Sequence, residues 1–235
     1  MPSKTPFNHL NIQLWLSRNS DATVKNEQAT LRLLSTSELK RYQSTRSNNN
    51  RRKFLLSRAL MRHAFNHHFQ RCENEWEFIE RPDSPPIVSN LPKNIYISLS
   101  HSNGLICLAI SGSPIGIDIE AATKHRDFLT LAKTIMSDDE VNYYIQNAST
   151  HADLFYRMWC AKEAYYKALP SSEQSATSLD KIFSPALLEN KESWFLLEGK
   201  IGHIVLAVVV KNYPKKIDCN YYLTTSNQLQ VIWTQ

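Results

Sequence analysis

The chain has 235 residues, of which 42% are hydrophobic and 10% aromatic, enough for one large core or two smaller halves and too apolar for a disordered tail. Its formal net charge of +5 favours a polyanionic ligand or an acidic partner, with a solvated basic surface as the plain alternative. Four cysteines (Cys72, Cys107, Cys160, Cys219) lie far apart without a C-x-x-C pair, which argues against a zinc site or disulfide framework and for a reducing cytoplasm. The opening residues MPSKTPFNHLNIQ lack an apolar signal segment, and no apolar run approaches the ~18 residues of a membrane span.

In chain order, Leu10 to Leu16 alternates apolar and polar residues, as a half-buried strand does. A polar helix is expected around Gln28 to Ser44, with the asparagine run at 48–50 as a break. The next helix, Arg51 to Phe69, places Arg51, Arg58 and Arg62 seven and four residues apart on one stripe, with Arg52 and Lys53 close by. That stripe suits either a solvated basic face or a phosphate clamp, since guanidinium forks bind phosphate oxygens bidentately. Trp76 to Ile79 reads as a strand, and Arg81-Pro82-Asp83-Ser84-Pro85-Pro86 as a turn-rich loop.

Ile95 to Leu99 alternates into Ser98-Leu99-Ser100-His101-Ser102, and Leu105 to Ile110 reads as a buried strand. After the Gly112-Ser113-Pro114 turn, the period of two turns Ile115, Ile117 and Ile119 toward the core and Gly116, Asp118 and Glu120 the other way. The two carboxylates then stand ~6.6 Å apart along the strand, close enough to share one ion or its waters, and Gly116 leaves room for a bulky ligand. Alone, such a strand is equally an ordinary polar outer face.

Ser137-Asp138-Asp139-Glu140 has the pattern of a capping box opening a helix through Tyr144. A further helix opens at Thr150-His151-Ala152-Asp153 and ends before Pro170; it carries Trp159-Cys160-Ala161-Lys162-Glu163-Ala164-Tyr165-Tyr166-Lys167. Trp159, Lys162, Glu163, Tyr166 and Lys167 share one side of it, and Glu163 and Lys167 are four apart, so an i,i+4 ion pair is within reach. Strands are expected at Trp194 to Leu197, Ile204 to Val210, Tyr221 to Thr224 and Val231 to Trp233.

Three of these stretches, Ser98–Ser102, Gly116-Ile117-Asp118-Ile119-Glu120 and W-x-x-K-E-A, resemble in order and spacing the signature of the surfactin-type 4'-phosphopantetheinyl transferases, in the branch with tryptophan in the last motif. The resemblance runs from about Leu10 to Leu169. It implies an α+β fold, a pseudo-dimer of two similar halves (1–112 and 113–235) with the active site in the cleft between them. A single chain would then complete the cleft as a monomer.

The implied reaction is Mg²⁺-dependent transfer of the phosphopantetheine arm of coenzyme A to a serine of an apo acyl or peptidyl carrier protein, with release of adenosine 3',5'-bisphosphate. Asp118, Glu120 and Glu163 would hold the metal. Glu163, directly or through a water on the metal, would be the base. Lys167 would reach the pyrophosphate and Lys162 would help shape the site. Arg58, and with it Arg51, Arg52 and Arg62, would lie at the coenzyme's 3'-phosphate, while Ser100 and His101 would hydrogen-bond phosphate or adenine groups. Where the family has G-K-P this chain has Ser84-Pro85-Pro86, leaving Arg81 or Lys93 as sources of the missing charge. The competing readings are a metal-dependent nuclease or phosphodiesterase using the same carboxylates, and a non-catalytic coenzyme-binding module. No aromatics interleave the basic stripe, so neither nucleic acid nor a membrane is the expected partner.

Overall fold

A computed structural model describes residues 10–81, 84–122, 126–147, 151–191, 193–225, 227 and 229–234. The opening peptide, the tip of the Arg81–Pro86 loop and the start of the Thr150 segment therefore fall outside the described residues.

The fold is α+β. In chain order the elements are β1 (Asn11–Arg18), α1 (Val24–Leu31), α2 (Thr36–Ser44), α3 (Asn48–Phe69), β2 (Phe78–Arg81), β3 (Ser84–Val88), β4 (Tyr96–Ser102), β5 (Leu105–Ser111) and β6 (Ile115–Ala121). There follow α4 (Phe128–Ile135), α5 (Asp138–Asn147), α6 (His151–Ala168), α7 (Ser171–Gln174), α8 (Ser184–Leu188), β7 (Phe195–Ile201), β8 (Ile204–Val210), β9 (Lys216–Tyr221) and β10 (Ile232–Trp233).

Local chemistry accounts for the departures from expectation. The helix expected at Gln28 to Ser44 is two helices, because Thr23 with Asn26 and Ser35 with Glu38 each build a capping box. The asparagine run opens α3 instead of breaking the chain, since the Ser47 hydroxyl accepts the Asn50 amide at the N-cap. The turn-rich loop after β2 continues into a strand, and Phe78 and Ile79 pair with Val88 and Ile87 in a two-stranded ribbon. Tyr221 ends a strand, and Leu223 beyond it has φ +60°.

Two four-stranded sheets, ordered β4-β5-β1-β9 and β10-β7-β8-β6, form the middle of the molecule. Their facing sides share a core of Leu14, Leu16 and Cys107 against Ile117, Ile119, Leu206 and Val208. Helix α3 covers the outer face of the first sheet, with Leu60 and Phe65 on Ile106 and Leu108. Helix α6 covers the second, with Ala161 and Ala164 against Val205, Ala207 and Val209. The result is a helix–sheet–sheet–helix stack, each layer placed by a strand or helix with one apolar side. The division at 113 is not clean: β9 crosses back to pair in parallel with β1, Leu14 opposite Cys219.

Candidate active site

Strand β6 is buried on both faces, which corrects the reading of its polar side as open. Asp118 is 3% exposed beneath α6, whereas Glu120, nearer the strand end, is half-buried. Gly116 leaves room for the helix and not for a ligand. A Cβ there would stand 2.7 Å from the Ala168 nitrogen and closer still to the Ala164 carbonyl. The absent side chain therefore lets α6 lie directly on β6.

That close approach brings the motif of α6 onto the carboxylates of β6. The Lys167 ammonium donates to Asp118 Oδ1 at 2.7 Å, and the Ser100 hydroxyl donates to the same oxygen at 2.8 Å. Lys167 stands 3.8 Å from Glu163, so its tighter ion pair is with Asp118 and not the i,i+4 carboxylate. Ser102 donates to Glu120 Oε2 at 3.0 Å, and the Trp159 side chain hydrogen-bonds Glu120 as well.

Three carboxylates thus face one ammonium. Burial, then the charges of Asp118 and Glu120 against the opposing pull of Lys167, raise the Glu163 carboxyl above its ordinary value. Burial and then Asp118 raise Glu120 likewise. Behind them the Cys160 thiol is pushed well up, by burial first and then by Asp118. Among the described residues no N–H or O–H donor reaches the buried Asp118 Oδ2, although the Cys160 thiol hydrogen-bonds the Asp118 carboxylate.

Beside this cluster, a cavity of about 470 Å³ opens between α3, the β3 segment and β4. Arg41, Thr45, Asn50, Lys53, Ser57, Arg58, Pro85 and His101 are among its lining residues. Lys53 and His101 also line the adjoining cavity that leads to Ser102 and Asn103. The Lys53 ammonium has no ion pair among the described residues. The His101 imidazole is held below its ordinary value by partial burial and then by Lys53, so the ring at the cavity wall is neutral near pH 7.

The arginine stripe is largely spent on structure. Arg62 is 1% exposed and donates to both oxygens of Glu38, at 3.0 and 2.7 Å, and to the Leu33 carbonyl. Arg58 is buried against Glu80 and Glu38, with Phe54 and Phe78 against its guanidinium, and it also lines the cavity. Arg51 turns back to the carbonyls of Thr45 and Gln43. The stripe that lines the cavity includes Asn50, Lys53 and the buried Ser57, spaced three and four apart. The arginines dominate this helix in the sequence, and the signal for Lys53 is the interval of small polar residues around it.

Three other expectations move. Lys162 is fully buried and pairs with Glu140, whose other oxygen accepts the Ser184 amide at 2.9 Å. It locks α5 and α8 to α6 and does not line the site. Ser100 is buried with its hydroxyl already engaged, so it is not open to a coenzyme phosphate. Arg81 is turned to the Pro85 carbonyl, whereas Lys53, without an ion pair among the described residues, lines the cavity with the prolines.

Residues 114–215 match the family model of the 4'-phosphopantetheinyl transferase superfamily. The match covers less than half of the chain. The matched span contains Asp118, Glu120, Glu163 and Lys167, while α3 and the Ser98–Ser102 strand lie before it. A putative 4'-phosphopantetheinyl transferase of Synechocystis is 28% identical over 160 residues, covering 66% of this chain and 63% of the relative. The transferase psf-1 of Bacillus pumilus is 28% identical over 116 residues, 49% of each protein. The Sfp transferase of Bacillus subtilis is 30% identical over 114 residues, 48% of this chain and 50% of the relative. The chain thus spans between about half and 63% of the length of these relatives.

Proposed function

We propose that the protein transfers the 4'-phosphopantetheine arm of coenzyme A to a serine hydroxyl of an apo acyl or peptidyl carrier protein, releasing adenosine 3',5'-bisphosphate. The observation that carries this reading is the cluster of Lys167, Asp118, Glu120 and Glu163 beside His101, which lines the cavity together with Lys53 and whose imidazole feels the charges of Lys167 and Asp118. Anion-binding groups and a carboxylate cluster meet there, as a pyrophosphate substrate and a proton-losing nucleophile require.

The donor set suits Mg²⁺. No group of three His, Cys, Asp or Glu side chains among the described residues stands ready as a cage. Mg²⁺ does not ask for one, since it takes one or two carboxylates and completes its octahedron with phosphates and water. The Asp118 Oδ2, which no N–H or O–H donor reaches among the described residues, and the surplus of negative charge fit such a cation, with Asp118, Glu120 and Glu163 as its holders. When bound, it would neutralise pyrophosphate charge.

The chain's own residues supply the rest. Lys53 and neutral His101 hold phosphate oxygens along the cavity. Lys167, freed from Asp118, places a compact positive charge on the pyrophosphate. Glu163 accepts the proton of the incoming serine hydroxyl, whose oxygen forms the new bond to the β-phosphorus as the bond to the bridging oxygen breaks. The electron pair leaves on adenosine 3',5'-bisphosphate.

The partners are therefore coenzyme A and an apo carrier, met by a single chain, and the expected compartment is the cytoplasm. No helix among the described residues is long and apolar enough to cross a membrane. The deciding experiment incubates the protein with Mg²⁺, coenzyme A and an apo carrier and weighs the carrier. Gain of the phosphopantetheine mass supports the proposal. Cleavage of nucleic acid without that gain replaces it with a phosphodiesterase.

A further inference from the structure

The two sheets meet along β4 and β6, and no backbone ladder joins these edges. Every second amide of β6 points across the gap and would be an unpaired edge donor. Serine side chains fill that role. The Ser98, Ser100 and Ser102 hydroxyls accept the amides of Ile117, Ile119 and Ala121 at 3.0, 3.3 and 3.0 Å. Serines two apart on one strand meet amides two apart on the other, so the whole row is in register.

At two of the three positions the hydroxyl does more. A serine oxygen can accept one hydrogen bond while giving its own proton to another partner. Ser100 gives its proton to Asp118 Oδ1 at 2.8 Å, and Ser102 gives its own to Glu120 Oε2 at 3.0 Å. At the third position β6 carries Gly116, so Ser98 holds the backbone and has no carboxylate to hold.

We propose that Ser100 and Ser102 are positioning residues of the transferase, each tying one carboxylate to the β6 amide that follows it; the functional half of this inference rests on the proposed function. The separation of the two carboxylates is then set by the separation of the two serines. Asp118 is kept from turning with Lys167 when that ammonium leaves for the pyrophosphate, because the Ser100 hydroxyl remains. With both hydroxyl protons given to carboxylates, neither serine has one to offer a substrate. Ser98 is the same tie without a carboxylate, which makes it a built-in control.

The test compares Ser98→Ala, Ser100→Ala and Ser102→Ala in the full chain, with Ser102→Thr as the variant that keeps a hydroxyl. Each alanine should speed amide exchange at its own β6 partner roughly 2–12-fold, the worth of one ordinary hydrogen bond. Ser98→Ala should leave kcat near wild type. Ser100→Ala and Ser102→Ala should lower kcat by roughly 10–100-fold, the scale of a group misplaced by up to an ångström, with KM for coenzyme A little changed. Ser102→Thr should restore it. The carboxyl-carbon resonances of Asp118 and Glu120 should shift in their own serine variants and stay put in Ser98→Ala. Equal kcat in all three alanine variants, or unmoved carboxyl resonances, overturns the positioning role; unchanged exchange at Ile119 and Ala121 overturns the bonds themselves. Should the wild type transfer nothing, the proposed function fails, yet the exchange and resonance measurements still decide whether the serines hold the carboxylates.

Discussion

Gly116→Ala tests the packing on which the site depends. The new Cβ would meet the Ala168 nitrogen at 2.7 Å, where ordinary contact begins at 3.4 Å, and would come closer still to the Ala164 carbonyl. Both obstacles are backbone of α6, so no side chain can swing away and the helix must retreat by more than an ångström to clear the Ala164 carbonyl. Overpacking of this kind costs about 1–3 kcal/mol, occasionally more. A loss in that range lowers the melting temperature by roughly 2–12 °C for a chain of this size. The same retreat carries Glu163 and Lys167 away from Asp118, and a displacement near 1 Å costs on the order of 10²-fold in rate. The control is Gly202→Ala, where nothing lies within 4 Å and only φ +60° opposes a side chain. Transfer to an apo carrier and thermal melts, run on both variants, give the answer. If Gly116→Ala melts and turns over like wild type, α6 does not rest on β6 as described and the geometry of the carboxylate cluster is wrong.

Arg58→Ala should act on stability first, because it leaves the buried Glu80 and Glu38 short of a countercharge; a loss of about 3–5 kcal/mol is expected in urea unfolding. Lys53→Ala should leave the melting temperature near wild type and weaken coenzyme A by roughly 10–100-fold in calorimetry, the worth of a charge-assisted hydrogen bond. Lys167→Ala should cut kcat/KM by about 10²–10³ in carrier transfer, with no rescue by added Mg²⁺. Glu163→Gln should abolish turnover yet raise stability at neutral pH. The folded carboxyl titrates above the ordinary 4.5, so the unfolded chain loses its proton first and wild-type stability falls as pH rises through that window. Melts of Glu163→Gln across pH 4–7 should show a flatter profile than wild type, and an unchanged one would refute the crowding of Glu163.

What was legible in the sequence was what a local pattern encodes. Ile115, Ile117 and Ile119 announce a strand facing a core, and Trp159 to Lys167 announce one helix; both stand where the pattern put them. The capping box at Ser137 and Glu140 is also formed. Long-range pairing was not legible. Nothing near Arg62 in the chain signals that its carboxylate is Glu38, 24 residues back, or that Lys162 meets Glu140 across 22 residues. A basic stripe on a helix looks the same whether its partners are phosphates or distant acids, and here the acids claim Arg58 and Arg62. The return of β9 to β1 was hidden for the same reason, since alternation reports a strand and says nothing of its neighbour.

Asp118 shows why such a site cannot be read from one strand. Alternation assigns it to the side away from Ile117 and Ile119, and the usual inference is that this side is wet. Instead that side faces α6, and a carboxylate at 3% exposure must be held by donors or lose its charge. Ser100 comes from β4 and Lys167 from α6, so three separate segments are needed to keep one anion buried. Gly116 is what lets the third of them come near. The two short motifs are therefore one device: the glycine of the first admits the helix of the second, and the lysine of that helix offsets the carboxylate that the first motif buries. On the proposed function, a cation or a pyrophosphate entering the cluster would compete for contacts already made, and its binding would be tied to release of Lys167 from Asp118.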